Sequence, residues 1–411
     1  MSAGPISNLL AQSAGHSGVA QVLRTVRKHL RMDVAFVAHF RETDRVLEHV
    51  DSDGAAPIFE GQTIPLEDGY CLKIVRGELP ELIPDTSAVP AAMALPATQA
   101  IPIGAHLSVP IELSNGALYG TLCCFSRAPD LSLGARDLRL IRALSEVLAA
   151  RIEEEEGAER VKRRIAGEIQ DAMAHGAPRI VYQPIYSLES DALVGAECLA
   201  RFDVEPLRSP DVWFDNAHKS GVGLELELRA IENALGMLDQ VPDPLWLSIN
   251  CSPELILSGR LGPVLADVDL ARVVLEITEH ATVTDYAAVS QALAPWRRHG
   301  ARLAIDDAGA GYASMRHILD LKADIIKLDV SLTRDIDTDS NRRALAKGLI
   351  AFAHEVGSGI TAEGVETEDE LATLRAVGVD KVQGFFLARP GSWEDFVARA
   401  AVPPLPLHAI N

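Results

Sequence analysis

From about residue 180 to residue 386 the chain consists of eight short apolar runs separated by stretches with helical spacing. The runs fall at 180–183, 193–200, 245–250, 273–277, 302–305, 325–328, 359–362 and 381–386. Apolar runs of this length bounded by turn signals read as buried strands, and strands alternating with helices predict an α/β fold with a parallel sheet. Eight such units in about 230 residues predict closure into a TIM-like (β/α)8 barrel instead of an open sheet. The strand ends of a barrel converge on one mouth, where chemistry is placed. Six of the runs contain, or lead directly into, a group able to hold a metal ion or move a proton. These groups are Glu197, Asn250, Glu276, Asp306 with Asp307, Lys327 with Asp329, and Glu363.

Carboxylates brought to one place raise each other's pKa unless a cation sits between them. All-oxygen donors select hard ions, so Mg²⁺ or Mn²⁺ is expected. The adjacent Asp306-Asp307 pair suits two ions and a phosphoryl displacement. Each acid taken singly also reads as a solvated loop residue or the N-cap of the next helix. Lys327 likewise reads as a structural ion pair with Asp329, or as the group that orients a nucleophilic water. The shared position of all these residues is what favours a site. Gly309-Ala310-Gly311 follows a strand but lacks the full phosphate-loop fingerprint, and reads as a flexible loop.

The first ~150 of the 411 residues read as a small α+β domain. Val19, Val22, Leu23, Val26 and Leu30 recur at helical spacing, and 34–38 and 46–50 read as strands. Asn115-Gly116 between apolar runs at 105–113 and 117–125 predicts a hairpin. The Pro-, Gly- and Ala-rich region 55–100 reads as loops and short elements over one face of the sheet. A long helical stretch from about Leu138 to Met173 joins the halves. Leu138, Ile141, Ser145, Leu148 and Ile152 keep a near-heptad rhythm, and Val161, Ile165 and Ile169 resume helical spacing after four glutamates, Glu153 to Glu156. The stretch reads either as a terminal helix with a solvated acidic run or as a dimer-forming signalling helix. The expected domains are 16–152, a connecting helix at 153–173, and 174–405.

Asp plus Glu outnumber Lys plus Arg by 58 to 38, a net charge of −20. That excess predicts no binding to nucleic acid or to anionic membrane, while a phosphorylated ligand held through metal ions stays compatible with it. No apolar stretch reaches the roughly 18 residues of a membrane-spanning helix. The start, Met1-Ser2-Ala3-Gly4-Pro5, lacks a basic region and apolar core, and the five cysteines show no CxxC spacing. A disulfide framework and a structural zinc site are therefore not expected, and the expected location is the cytoplasm.

Seven segments carry a resemblance. They are Tyr182-Gln183-Pro184-Ile185, Glu197-Cys198-Leu199-Ala200-Arg201-Phe202, Leu275-Glu276-Ile277-Thr278-Glu279, Asp306-Asp307, Ile326-Lys327-Leu328-Asp329, Ala362-Glu363-Gly364-Val365-Glu366 and Gln383-Gly384-Phe385-Phe386. In this order they resemble the EAL-domain family of cyclic di-GMP phosphodiesterases. The resemblance implies a barrel whose first strand is reversed. It implies hydrolysis of one phosphodiester of cyclic di-GMP to linear pGpG, sites for two Mg²⁺ or Mn²⁺ ions, and a homodimer. Glu197, Asn250, Glu276 and Asp306 are implied as ligands of one ion, with Asp306, Asp307 and Glu363 at a second. Glu363 is implied as general base and Lys327 as the residue positioning the attacking water, so that Glu363, Lys327 and Glu197 form the catalytic set. Gln183, Arg201, Asp329 and Gln383 are implied as substrate contacts, and Glu279 as the anchor of the loop after Asp307.

Two departures stand out. Cys198 replaces the family's Ala, which leaves the glutamate before it intact. Ala308, Ala310 and Ala313 stand in the loop where the family carries aromatic and hydroxyl side chains, which implies weak or strongly regulated activity. The alternative is a silent cyclic di-GMP receptor. The first domain resembles GAF domains through Gly69-Tyr70-Cys71 and Leu118-Tyr119-Gly120-Thr121-Leu122-Cys123-Cys124. The likeness implies a sensor, with its ligand not readable. Cys71 and His106 read as packed core residues more readily than as a redox, attachment or ligand group.

Overall fold

The computed structural model describes residues 18–54, 58–278, 281–308 and 313–402. Glu279 and the loop Gly309-Ala310-Gly311-Tyr312 lie outside these residues. The chain divides into two compact units, Met1–Val161 and Lys162–Asn411.

The first unit is a six-stranded sheet of β1 (Val34–Phe40), β2 (Asp44–Ser52), β3 (Thr63–Pro65), β4 (Leu82–Ile83), β5 (Ala105–Glu112) and β6 (Leu118–Ser126). Their order is β3-β2-β1-β6-β5-β4, and every pairing is antiparallel. Side chains alternate across a strand. Leu122 and Cys124 of β6 therefore face the helix Gly18–His29, while Cys123 and Phe125 face Tyr70, Cys71 and Ile74. Both faces are covered, which is why the strand sequence looks continuously apolar. The Asn115-Gly116 hairpin forms as expected, with Gly116 at φ +79°.

The helix Ala135–Ala174 runs for 40 residues without a break, starting earlier than the sequence rhythm indicated. Ile141, Leu148 and Ile152 are buried in the core of the first unit, and Ile169 and Ala172 in that of the second. Among the described residues no helix is long and apolar enough to cross a membrane.

The second unit is a closed eight-stranded barrel. Its strands are β7 (Arg179–Ser187), β8 (Leu193–Arg201), β9 (Trp246–Asn250), β10 (Val273–Thr278), β11 (Arg302–Ala308), β12 (Ile325–Leu328), β13 (Gly359–Ala362) and β14 (Lys381–Val382). β7 runs antiparallel to both of its neighbours, and all other pairings are parallel. The reversal has a local cause. Only a short turn separates β7 from β8, with Ser187 N donating to Ala192 O at 2.9 Å. A parallel return needs a crossover of a dozen or more residues, so the two strands form a hairpin.

The eighth run, expected to stay extended through residue 386, ends as a strand at Val382. A Cβ on Gly384 would lie 2.2 Å from the Val365 backbone, and this close approach accompanies the turn of the chain there. β11 conversely runs on through Ala308, so Asp306 and Asp307 lie within the strand.

Inside the barrel the side chains form layers. Ile185, Trp246, Val274, Ala304 and Ile325 make an apolar layer. Two residues further along each strand, toward the mouth, come Gln183 (the strand being reversed), Ser248, Glu276, Asp306 and Lys327. Trp246 fits because its register neighbour is Gly195, whose added Cβ would meet the Trp246 carbonyl at 2.5 Å and its ring at 2.6 Å. Gly195→Ala is therefore expected to destabilise the barrel by about 1–3 kcal/mol through overpacking. All four tryptophans lie beyond residue 200, so denaturation followed by tryptophan fluorescence reads this loss directly. An unchanged midpoint would show that Trp246 has room to move.

Candidate metal centre at the barrel mouth

Lys327 is the centre of the site. Its side chain is buried, and Nζ lies 2.7 Å from Glu363 Oε1, 2.9 Å from Glu276 Oε2, 3.1 Å from Asp306 Oδ1 and 3.5 Å from Glu197 Oε2. Four strands and the residue after a fifth thus aim charge at one point. Asp329, the other partner considered from sequence, takes no part in this cluster. It caps the helix Val330–Thr333 by accepting from Ser331 N at 2.9 Å.

The electrostatics of the cluster are unbalanced. Burial works to lower the Lys327 pKa, yet the four carboxylates together override it and hold it well above the ordinary lysine value. Burial pushes Glu276 up to about 8 against the pull of Lys327, with Glu197 and Asp306 adding to the rise. Glu363 is raised well above its ordinary value, first by burial. Across the Lys327–Glu276 pair the causes differ: the surrounding carboxylates raise the lysine, while burial raises the acid against the lysine's pull.

The carboxylates form two groups that share Asp306. Glu197, Glu276 and Asp306 each offer an oxygen within 4.8 Å of the others, and so do Asp306, Asp307 and Glu363. Five carboxylates against one ammonium leave a formal charge that two divalent cations would balance. An all-oxygen donor set of this kind fits hard divalent ions. Asp307 reaches its place through a left-handed backbone at φ +58°, with its N–H donating to Asp306 Oδ1 at 3.0 Å.

The other expected site residues divide into two sets. Asn250 ends β9 in register with Glu276, is exposed, and lines a cavity of about 650 Å³ with Arg201, Glu276 and Thr278. Arg201 is itself tied back by an Nη1 hydrogen bond to Ala200 O at 2.8 Å. Gln183 is buried on β7 in register with Glu197. Gln383 lies inside the carboxylate cluster, its Nε2 donating to Glu197 Oε2 at 2.7 Å and Glu363 Oε1 at 3.1 Å.

Three residues escaped sequence reasoning. Ser248 Oγ donates to Glu276 Oε1, and Thr361, in register with Lys327, keeps a buried hydroxyl without a hydrogen-bond partner among the described residues. Glu227 accepts from both Ser252 N and Ser252 Oγ, and so holds the turn that follows Asn250. Period-two spacing from Glu276-like positions could have found Ser248 and Thr361. Nothing local marks Glu227, which comes from a helix.

Residues 166–390 match the EAL domain family and residues 16–152 match the GAF domain family. The chain belongs to the EAL family and carries a GAF domain ahead of its barrel. A cyclic di-GMP phosphodiesterase of Pseudomonas aeruginosa is 32% identical over 223 residues, 51% of this chain and 38% of that protein. An uncharacterised protein of Sinorhizobium fredii is 29% identical over 240 residues, 56% of this chain and 29% of its own length. The match thus spans about a third of the length of these relatives. An EAL domain protein of Listeria monocytogenes shares the fold at 24% identity and a TM-score of 0.53, covering 58% of this chain and 98% of that one. The PaMucR phosphodiesterase, solved as a c-di-GMP complex, does so at 24% identity and a TM-score of 0.51, covering 57% and 99%.

The raised Glu276 pKa has a sign that can be tested. The native state holds this proton more tightly than the unfolded chain. Its stabilising contribution is therefore fully present below the ordinary value of 4.5 and is lost as pH rises through about 8. Metal must displace the proton, so metal affinity should rise over the same range. With a chelator present, the melting temperature is expected to fall between about pH 5.5 and pH 8.5, and Mn²⁺ should restore more of it at the higher pH. An equal Mn²⁺ effect at both pH values would show that Glu276 is already ionised.

Proposed function

We propose that the chain is a divalent-metal-dependent phosphodiesterase that hydrolyses one phosphodiester of cyclic di-GMP to linear pGpG, regulated by its GAF domain. The observation that carries this reading is the pair of carboxylate groups sharing Asp306 around the buried Lys327 ammonium. Membership of the EAL family supports the same substrate class.

Glu197, Glu276 and Asp306, with Asn250 at the rim, would hold one ion, and Asp306, Asp307 and Glu363 the other. Bound there, Mg²⁺ or Mn²⁺ neutralises charge on the phosphoryl oxygens and lowers the pKa of the attacking water. Lys327 keeps the carboxylates converged and places positive charge beside that water. Glu363, at the edge of the cluster, takes the water's proton as general base. Arg201 and Asn250 on the cavity wall orient the dinucleotide. The cavity is of the size typical of small-molecule sites, and its apolar wall, with Phe214 and Ile231, suits a base. A regulatory route from the GAF domain is supported by the unbroken helix Ala135–Ala174, which contributes to the cores of both units.

Incubation with cyclic di-GMP and Mg²⁺ or Mn²⁺ is expected to yield pGpG, and chelation to stop it. Glu197→Ala should lower kcat by about a hundredfold or more, the scale of losing one preorganised electrostatic group. Lys327→Met should do the same while the protein still binds metal. Tight binding of cyclic di-GMP with no pGpG under either metal would replace this reading with that of a receptor.

A further inference from the structure

The turn that carries Asn250 is held from outside the barrel strands. Asn250 is the last residue of β9 and is exposed, so its direction follows the backbone on either side of it. Period-two alternation from Trp246 and Ser248 turns it toward the barrel axis. Beyond it, the next two residues are both tied. Cys251 N donates to Glu276 O at 2.8 Å, which fixes the turn to the neighbouring strand. Ser252 N donates to Glu227 Oε1, and Ser252 Oγ donates to Glu227 Oε2 at 2.7 Å. The same hydroxyl oxygen accepts from Leu255 N at 3.1 Å and caps the helix Pro253–Leu257. Giving its proton to Glu227 leaves the serine oxygen free to accept at that cap.

Glu227 sits on the helix Gly223–Leu235 and lines the same cavity as Arg201, Asn250 and Ser252. Burial disfavours its charged form, and the Ser252 N–H and hydroxyl favour it. The rest of this helix is joined to the long helix Ala135–Ala174. Leu226, the residue before Glu227, is fully buried in the apolar cluster that also holds Ile169 and Ala172. Asn233 Nδ2 donates to Gly176 O at 3.2 Å and Pro178 O at 2.9 Å, just past the end of the long helix. Between the two helices lies a cleft of about 390 Å³, lined by Gln170, Met173 and Ala174 and by Glu225, Leu228 and Arg229. One helix thus meets both the end of the long helix and the turn that carries a metal ligand.

We infer that Glu227 is a positioning residue for Asn250, and that through it the helix Gly223–Leu235 couples the long helix to the site of the first ion. This role presupposes the two-ion reading of the barrel mouth. A carboxylate that accepts from both the N–H and the hydroxyl of one serine fixes the place and the twist of the turn together. Partners of this kind orient metal ligands, and their loss costs about tenfold or more in metal affinity. An exposed ligand at a strand end depends on such support more than Glu276, which the barrel interior encloses. A displacement of the long helix at Ile169 loads the cluster that holds Leu226, and the next residue along delivers it to Ser252. The carboxylates around Lys327 stay where the strands put them.

Mn²⁺ binding to the full-length, chelator-treated protein is followed through the electron paramagnetic resonance of free Mn²⁺, which needs no substrate. Two bound ions are expected. Glu227→Ala should weaken one of them about tenfold or more, and Glu227→Gln, which keeps one acceptor oxygen, should weaken it less. The glutamine variant carries the test if the alanine variant fails to fold. Asn250→Ala should weaken the same ion, and adding Glu227→Gln to it should cost nothing further, since the positioning is lost with the ligand. Ile169→Ala should weaken that ion about threefold, and its effect should vanish in the Glu227→Gln background. A lowered melting temperature with unchanged Mn²⁺ affinity in Glu227→Gln would make Glu227 a structural brace and overturn the assignment. Additive losses in either pair of variants would overturn it as well. Two bound ions with no pGpG would sink the phosphodiesterase reading alone, and failure to bind any Mn²⁺ would sink both.

Discussion

One buried ammonium organises the barrel mouth. Lys327 reaches carboxylates from β8, β10, β11 and the end of β13, and brings into one cluster groups that lie as much as 166 positions apart. A lysine this deep is tolerated because the acids surround it, and the barrel strands that carry the acids bring them to it. The balance is incomplete by design of the donor count. Burial leaves Glu276 and Glu363 protonated more readily than ordinary acids, and that residual proton affinity is what a divalent ion replaces.

The barrel beneath supplies the geometry. Period-two alternation puts an apolar layer around Trp246 directly below the charged one, so the polar side chains are backed by a packed floor instead of water. Gly195 keeps that floor closed by yielding its volume to the indole. The reversed β7 delivers Gln183 to the same layer from the opposite chain direction. The same logic of small residue against bulky partner recurs in the first unit, where Gly69 admits the Arg45 guanidinium.

Much of this architecture was legible in the chain. Eight apolar runs, five of them containing or leading into an acid and a sixth ending on Asn250, announced a barrel with a polar mouth, and the short link between the first two runs held the signal for a hairpin. Reading 180–183 as a short strand hid it, because Pro184 to Ser187 continue β7 and leave only a turn. The run at 381–386 misled for the opposite reason. Phe385 and Phe386 are apolar, yet the close approach of Gly384 to Val365 accompanies a turn there.

Sequence alone pointed to eight barrel strands and to carboxylates at the ends of several of them, because those follow from local periodicity and composition, while the reversed first strand and the roles of the acids came from the family resemblance. Tertiary structure alone decided which partners Lys327 takes. It assigned Asp329 to a helix cap and moved Gln383 into the carboxylate cluster. It also revealed Ser248 and Glu227. The physical reason is the same in each case. A charge's partners are set by distance through the fold and by desolvation, and neither quantity is written in the spacing of residues along the chain.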